Sequence, residues 1–297
     1  MARVESEEYQ YLNLICNILD NGEKRSGRNG STKSLFGERL VFNIGKNGFP
    51  LLTTKKVFWR GVVEELIWFL CGSTNVADLQ VKNIHIWDAN STREFLDSVG
   101  LADVPENNIG AGYGYQWRCF DGDYPSRNNG VDQLKYVLSE LVNNPYGRRC
   151  VLTAWNPKQL SKAALPPCHF TYQFYRSSKG ISCQMQMRSC DVCAGLPFNI
   201  ASTALFTSII AHILHLSVDR IVIVMGDTHI YECHEDNAKI QIERTPYQFP
   251  TLQIHKDPPS IDASVDDMIK WIESLDAKDF TLENYKSHQS VSFQMVA

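Results

Sequence analysis

The sequence predicts an α+β fold: one domain over residues 1–297, in which a mixed β-sheet packs with helices around a long buried central helix. Three observations predict it. Helical and strand patterns follow one another without a repeating strand–helix–strand unit. Residues 199 to 216 are apolar on all sides, as in the centre of a core. No internal repeat, low-complexity tract or linker divides the 297 residues.

Composition and charge are those of an ordinary globular protein. Hydrophobic residues make up 43% and charged residues 21% of the chain. A net charge of −4 without a basic block gives nucleic-acid binding little electrostatic support. The polar, acidic N-terminus lacks the apolar region of a signal peptide, and no apolar run approaches a membrane span. Nine cysteines, scattered singly, predict a reducing cytoplasmic location rather than a disulfide framework.

Helices are predicted where apolar residues recur at helical spacing. Residues 9–19 form the first, which Asn21-Gly22 ends. Residues 59–70 form a strongly apolar helix that carries Glu64 and Glu65. Consecutive helical residues lie about 100° apart, so at least one of these acids faces the interior or a cleft. Further helices are predicted at 131–143, 199–216 and about 232–243.

Strands are predicted at 149–155, 170–175, 181–187, 221–224 and 252–255. A Ser-Ser-Lys-Gly turn joins the second to the third. Residues 23–34, E-K-R-S-G-R-N-G-S-T-K-S, are predicted to form a loop. This loop is either a solvated connection or an anion site, in which Arg28 sits among small residues that let backbone N–H groups approach a phosphate.

The segment Leu165-Pro-Pro-Cys168-His169 is a candidate nucleophile motif. The two prolines exclude helix before Cys168, so a rigid turn delivers the thiol at the start of a strand. The alternative is a buried structural cysteine, a common state of a free thiol. A nucleophilic thiol needs positive neighbours. The fold would have to supply them from Arg148-Arg149 or Arg188.

Two further motifs leave alternatives open. In Gly226-Asp-Thr-His-Ile-Tyr231, His229 and Tyr231 point to the same side of an extended backbone, which suits a sugar hydroxyl or a buried polar pair. Cys190-Asp-Val-Cys193 has the spacing of a redox pair or half a metal site. No second ligand pair lies at compact spacing, so no metal is predicted.

Taken together, five stretches resemble thymidylate synthase, from about residue 8 to the C-terminus. They are F-P-L-L-T-T-K-K, E-E-L-I-W-F-L, Y-G-Y-Q-W-R, L-P-P-C-H with R-S-C-D-V-C-A-G-L-P-F-N-I-A-S, and G-D-T-H-I-Y. The resemblance implies a methyltransferase that converts dUMP to dTMP. It further implies 5,10-methylenetetrahydrofolate as cosubstrate, dihydrofolate as second product, no metal, and a homodimer joined sheet to sheet.

The resemblance implies a role for each matching residue. Cys168 adds to C6 of uracil, and C5 thereby becomes nucleophilic. Glu65 moves protons through ordered water, and Tyr113 assists removal of the C5 proton. The implied catalytic residues are Cys168, Glu65, Tyr113, Arg188, Asn199 and Asp191.

The resemblance also implies the ligand contacts. Asn199 reads uracil, and Arg148 and Arg149 reach into the partner subunit's site. A C-terminal tail, residues 294–297, closes over the ligands. The implied dUMP ligands are Arg28, Arg148, Arg149, Arg188, Ser189, Asn199, His229 and Tyr231. The implied folate ligands are Trp87, Asp191, Gly195, Phe198, Lys55 and Ala297.

Several positions depart from the family's pattern. The phosphate loop is one residue shorter, and about ten extra residues near 266–275 are predicted on the surface as a hairpin or helix. Smaller side chains motivate an alternative, a hydroxymethylase of dUMP in which water captures the intermediate; dCMP is disfavoured by Asn199. A third hypothesis is a non-catalytic nucleotide- or RNA-binding protein. The smaller residues are Ala111, Gly112, Cys193, Ala194 and Thr203.

Overall fold

A computed structural model describes residues 6–27 and 29–296. Two predicted ligand residues, Arg28 and Ala297, lie outside the described residues. The α-helices are α1 (Tyr9–Asn21), α2 (Ile44–Asn47), α3 (Trp59–Leu70), α4 (Ala77–Gln80), α5 (Arg93–Ser98), α6 (Gly114–Arg118), α7 (Gln133–Asn143), α8 (Leu196–Ile213), α9 (Glu235–Ile242) and α10 (Val265–Glu273). The strands are β1 (Glu23–Gly27), β2 (Gly30–Phe42), β3 (Val151–Thr153), β4 (His169–Ser177), β5 (Gly180–Asp191), β6 (Val218–Tyr231), β7 (Thr251–Ile254) and β8 (Phe280–Glu283).

The main sheet has the strand order β1-β2-β6-β5-β4-β3. Its neighbours are antiparallel except β5 and β6, which are parallel and joined through α8. A parallel pair needs such a crossover, because a tight turn can join only antiparallel strands. The sheet is therefore mixed, as predicted. A separate two-stranded sheet pairs β7 with β8.

Helix α8 lies against one face of the main sheet and is buried along most of its length. It is long and apolar enough to cross a bilayer by length and composition, yet 83% of it is buried inside the protein. The side chains beneath it alternate along β5 and β6, with Cys183, Met185, Ile221 and Ile223 in the core. Packing on this scale explains why a helix without a polar side is stable here.

The helix predictions at α1, α3, α7, α8 and α9 agree with the structure to within a few residues. At the end of α1, the Gly22 N–H donates to the Ile18 carbonyl at 2.9 Å. Asp132 caps α7, and its side chain accepts from the Lys135 N–H at 3.0 Å. The Gly22 bond and the Asp132 cap thus mark the end of α1 and the start of α7.

The prediction of a loop at residues 23–34 is wrong, because β1 and the start of β2 pair as a hairpin. All five β1 residues are exposed, so no apolar alternation marks the strand in the sequence. Strand β1 pairs with β2, and β2 is held in turn by β6, which lies about 180 to 200 residues further along the chain. Strands β5 and β6 are likewise longer than predicted and end at Asp191 and Tyr231.

The extra residues near 266–275 form α10, which is more than a surface feature. Met268, Trp271 and Ile272 of this helix are buried, and the helix contacts α3 and α7. Its last residue, Glu273, accepts from Arg118 Nη2 at 2.9 Å, and Asp132 pairs with the same guanidinium at 3.0 Å. The insertion is thereby tied to the helices behind the cleft.

Candidate active site

Cys168 and Arg188 meet across the β4–β5 hairpin. The Arg188 backbone N–H donates to the Cys168 carbonyl at 2.9 Å, and Arg188 Nη2 lies 3.8 Å from the Cys168 sulfur. The carbonyls of Pro166 and Pro167 accept from the guanidinium at 2.7 and 2.9 Å, and the Trp155 ring lies 5.7 Å from its centre. The two proline carbonyls thus hold the Arg188 guanidinium beside the thiol.

Tyr113 lies on the other side of Cys168. Its hydroxyl oxygen accepts from the Cys168 backbone N–H at 3.0 Å. Its ring stacks on Phe69 with centroids 5.0 Å apart and lies 4.8 Å from the His169 ring. Tyr113 has φ +34°, an unfavourable value for a residue with a side chain, and such strain concentrates at functional sites. Burial raises the pKa of its hydroxyl well above 10, so the phenol is protonated.

Glu65 of α3 faces the same aromatic group. Its Oε1 accepts from Trp87 Nε1 at 2.8 Å, and the Trp87 ring lies 5.5 Å from the Tyr113 ring. Burial raises the pKa of Glu65 to about 7, although the Trp87 bond opposes the shift. The adjacent Glu64 is also buried but pairs with Lys82 Nζ at 2.7 Å. The prediction that one acid faces inward is confirmed, and Glu65 is able to exchange a proton near neutrality.

His229 and Tyr231 share a side of β6, as predicted, with ring centroids 5.2 Å apart. A residue missed by the sequence analysis, Asp227, anchors the group. Its carboxylate accepts from His229 Nδ1 at 3.0 Å, Ser34 Oγ at 2.9 Å and Arg25 Nη1 at 3.0 Å. The signal was present, since residues 227, 229 and 231 alternate on one strand.

A cleft of about 350 Å³ opens above this group, between the β1–β2 hairpin and the ends of β5 and β6. The parallel register sets Ser189 beside Asp227, and Asp191 beside His229. Polar groups from both strands therefore reach one edge of the sheet. The lining residues are Arg25, Ser26, Gly27, Asn29, Gly30, Thr32, Ser189, Asp227, His229 and Tyr231.

The turn from β5 into α8 gathers four predicted residues. Asp191 Oδ1 accepts from the backbone N–H groups of Cys193 and Ala194, each at 3.0 Å. The Asn199 N–H donates to the Gly195 carbonyl at 3.2 Å in the first turn of α8. A Cβ at Gly195 would lie 3.7 Å from Asn199 Oδ1, so glycine keeps the approach to that amide open. Phe198, on the same turn, packs partly buried against the core.

Lys55 is buried next to the C-terminal segment. Its Nζ donates to the Cys193 carbonyl and lies 4.5 Å from the centre of the Phe293 ring. Burial lowers the pKa of this amine to about 8. A second cleft, of about 620 Å³, lies between this segment and the hairpin, and is lined by Asn29, Gly30, Ser31, Tyr231, Glu232, Cys233, Gln294, Met295 and Val296.

Arg148 and Arg149 lie apart from the other predicted residues. Both are exposed and come directly before β3, the last strand of the sheet. Strands β4 and β5 separate β3 from β6, which puts β3 about 14 Å from the strand that carries His229 and Tyr231. The cleft of this subunit is therefore built without them.

Neither cysteine of the C-x-x-C motif resembles a reactive thiol. Cys190 and Cys193 are free and fully buried, and burial raises the pKa of both. Within residues 6–27 and 29–296, no three His, Cys, Asp or Glu side chains cluster as metal ligands. Among the smaller residues, Ala111 and Thr203 are buried, and the Thr203 hydroxyl donates to the Asn199 carbonyl at 2.7 Å. The hydroxyl thus supports the helix turn that carries Asn199.

Comparison with known proteins indicates the family of this chain. The family model for thymidylate synthase matches residues 9–297. Three similar curated proteins are bifunctional dihydrofolate reductase-thymidylate synthases. The Zea mays protein is 47% identical over 295 residues, covering 97% of this chain and 54% of the relative. The Plasmodium berghei (strain Anka) protein is 45% identical over 296 residues, with 98% and 48% covered. The Paramecium tetraurelia protein is 44% identical over 297 residues, with 98% and 62% covered. The chain spans about half the length of these relatives.

Proposed function

This chain belongs to the thymidylate synthase family, and from that premise we propose that it catalyses the reductive methylation of dUMP to dTMP. The cosubstrate is 5,10-methylenetetrahydrofolate, and dihydrofolate is the second product. One observation carries the proposal: the Arg188 guanidinium lies 3.8 Å from the Cys168 sulfur, and Tyr113 bonds the Cys168 backbone from the other side. A structural cysteine has no need of a charge held beside it.

Cys168 acts as the nucleophile. Its thiolate adds to C6 of the uracil ring, a C–S bond forms, and the electron pair of the C5–C6 double bond moves toward C5 and O4. Arg188 faces the sulfur and is a ligand for the nucleotide's phosphate. Asn199 reads the base, because a side-chain amide is able to donate to O4 and accept from N3–H.

Glu65 and Tyr113 handle protons. A carboxyl group whose pKa is about 7 is both a competent donor and a competent acceptor at physiological pH. Glu65 serves O4 and C5 of uracil through water. Tyr113 keeps its proton and holds water near C5, while its hydroxyl oxygen fixes the Cys168 backbone.

Ser189, His229 and Tyr231 bind the nucleotide in the cleft, with Arg28, which lies outside the described residues, as a further phosphate ligand. His229 and Tyr231 hold the ribose hydroxyl. Asp227 supports this group, because its bond to Nδ1 fixes the orientation of the His229 ring and leaves Nε2 for the ligand.

The folate fits the residues on the other side of the nucleotide cleft. Within the described residues, the hydrogen bonds to the Asp191 carboxylate both end on Oδ1, which leaves Oδ2 as an acceptor for a ligand N–H. When bound, methylenetetrahydrofolate supplies the one-carbon unit and the hydride. The residues that would hold it are Asp191, Gly195, Trp87, Phe198 and Lys55, together with Ala297.

The proposed unit is a homodimer joined through the open face of the sheet. On that face, uncharged side chains such as Val222 and Val224 of β6 are only partly covered. Tyr175 of β4, on the same face, is 62% exposed. Pairing two such faces would bring Arg148 and Arg149 to the partner's cleft, which their own subunit keeps about 14 Å away. We further propose that the chain is one catalytic domain and works in the cytoplasm, where its nine free cysteines remain reduced.

Product analysis tests the proposal. The protein is incubated with dUMP and methylenetetrahydrofolate, dihydrofolate is followed by absorbance, and the nucleotide is identified by mass. Equal amounts of dTMP and dihydrofolate are expected. Hydroxymethyl-dUMP without dihydrofolate would establish the hydroxymethylase instead. No turnover, together with no covalent adduct of 5-fluoro-dUMP at Cys168, would favour a binding protein.

A further inference from the structure

The C-terminal segment, residues 285–296, is held through its backbone. Arg244 Nη1 donates to the Gln289 carbonyl at 2.7 Å, and Asn237 Nδ2 donates to the Ser292 carbonyl at 2.7 Å. His234 Nε2 bonds the Gln294 carbonyl at 2.8 Å. All three side chains come from α9 or its immediate ends. The segment is therefore attached along a row of anchors, of which His234 is the one nearest the cleft.

His234 differs from the other anchors in what else it touches. Its side chain is 1% exposed. The Tyr231 ring lies 5.6 Å from its ring and the Phe293 ring 5.4 Å, both edge-on. Its Nδ1 lies 3.8 Å from Asp191 Oδ1. One imidazole thus contacts a proposed ribose ligand, a proposed folate ligand and the C-terminal segment.

The two nitrogens of His234 are not equally satisfied. A carbonyl oxygen only accepts, so Nε2 must carry a hydrogen to bond Gln294. Nδ1 is buried and has no hydrogen-bond partner among the described residues. Its distance from Asp191 Oδ1 is 3.8 Å, which is too long for a hydrogen bond. Buried polar atoms in proteins are nearly always bonded. Since Nδ1 of the neutral ring and the Asp191 carboxylate both accept, a water that donates to both would satisfy Nδ1.

We propose that His234 is a positioning residue that couples binding of the folate at Asp191 to fastening of the C-terminal segment. A ligand that bonds Asp191 Oδ2 orders the carboxylate whose other oxygen faces Nδ1. A shared water then joins His234 Nδ1 to that oxygen, and the Nε2–H holds Gln294 more firmly. This inference rests on the proposed function, because it takes Asp191 as a folate ligand.

Asn237 provides a matched control. It bonds the same segment at the same length but, within the described part of the chain, makes no bond to Asp191. His234→Gln is a second control, since its amide nitrogen approximates Nε2 and keeps a donor for Gln294 while nothing replaces Nδ1. If His234 were a simple anchor, His234→Gln would have little effect and His234→Ala would behave like Asn237→Ala. If His234 couples the two sites, His234→Gln has a clear effect and His234→Ala differs from Asn237→Ala.

The test is the rate at which carboxypeptidase Y releases the C-terminal residues, with and without dUMP plus dihydrofolate, a pair that cannot turn over. In the parent protein we expect the ligands to slow release by about tenfold. His234→Ala and His234→Gln should lose this slowing and raise the KM for folate by a similar factor, with the dissociation constant for dUMP unchanged. Asn237→Ala should speed release from the free protein but keep the slowing by ligands.

The outcomes separate the two levels of the proposal. Ligand-dependent slowing that persists in His234→Ala, or that Asn237→Ala also abolishes, overturns the coupling role and leaves the enzyme function intact. A parent protein that makes no dTMP and shows no slowing overturns the proposed function itself. Recovery of the slowing in His234→Gln would show that only the bond to Gln294 matters, which also overturns the inference.

Discussion

Two parts of the candidate active site, a floor and a rim, are built in different ways. The floor, defined by Cys168, Arg188, Tyr113 and Glu65, rests on core elements and on stacked aromatic rings. The rim, defined by the β1–β2 hairpin and residues 285–296, is exposed and held mainly by hydrogen bonds to backbone. From this difference we expect that the floor sets the rate of the proposed reaction and that the rim sets the affinity for its ligands. Substitutions in the two regions should therefore separate kcat from KM.

The largest expected effect is that of Cys168→Ala. Loss of the nucleophile should lower turnover at least about 10³-fold, as for covalent catalysts generally. Nucleotide binding should persist, because the rim is untouched. Dihydrofolate formation measures the first quantity, and calorimetric titration with dUMP measures the second. Substantial turnover in this variant would show that the floor has been assigned to the wrong residue.

Glu65→Gln should lower kcat by about 10²- to 10³-fold, since it removes a proton-transfer group from the floor. The KM for dUMP should change little. Steady-state kinetics at varied dUMP and pH checks both. A rise in KM with kcat unchanged would show that Glu65 contributes to ligand affinity and not to proton transfer.

Glu65 also predicts how stability depends on pH. Burial raises the pKa of this acid from 4.5 in the unfolded chain to about 7 in the folded protein. The folded state therefore binds the proton more tightly between these values, and the free energy of unfolding falls as the pH rises from about 5 to 7. The loss is at most about 3 kcal/mol. Denaturant titrations at several pH values should show this slope in the parent and a flatter curve in Glu65→Gln.

Asp227→Asn probes the rim at its best-connected point. The carboxylate accepts from three side chains, so the change removes the anchor of His229 while the fold persists. We expect the KM for dUMP to rise about tenfold, equivalent to about 1.4 kcal/mol, with kcat within a few fold of the parent. An equal loss in kcat would mean that this group acts on the chemistry as well as on affinity.

Arg25→Ala should have the smallest effect. Its ion pair with Asp227 joins side chains that are 54% and 37% exposed. Exposed pairs of this kind contribute about 0–1 kcal/mol, so the KM for dUMP should rise less than about fivefold and the unfolding midpoint should barely move. A much larger increase in KM would show that Arg25 binds the ligand directly.

The floor was more predictable from the sequence than the rim. A regular hairpin turning at Ser178-Lys179 places residue 168 opposite residue 189, so the predicted strands bring Cys168 near Arg188, and a bulge between His169 and Thr171 then makes Arg188 its partner. The apolar pattern of α3 likewise predicts that at least one of Glu64 and Glu65 faces inward. These inferences work because the relevant contacts are local or follow from one turn.

The rim resisted prediction because its order comes from distant partners. Strand β1 has no buried face, and β2 is a strand through its pairing with β6. The anchoring role of Asp227 depends on a register that brings Ser34 and Arg25 to it. The anchoring side chains bond backbone carbonyl groups of the C-terminal segment. Every residue has such a carbonyl, so the sequence of the segment does not reveal these bonds.

The parallel pairing of β5 with β6 has a consequence for how the chain folds. Ser189 and Asp227 become neighbours only after α8 has crossed over, and Ser34 reaches His229 across 195 residues of sequence. Contacts between such distant segments are slow to form, because loop closure precedes the gain from pairing. We therefore expect the nucleotide cleft to be among the last parts to assemble. A bound nucleotide would then stabilise the native state, because its binding site does not exist in the unfolded chain.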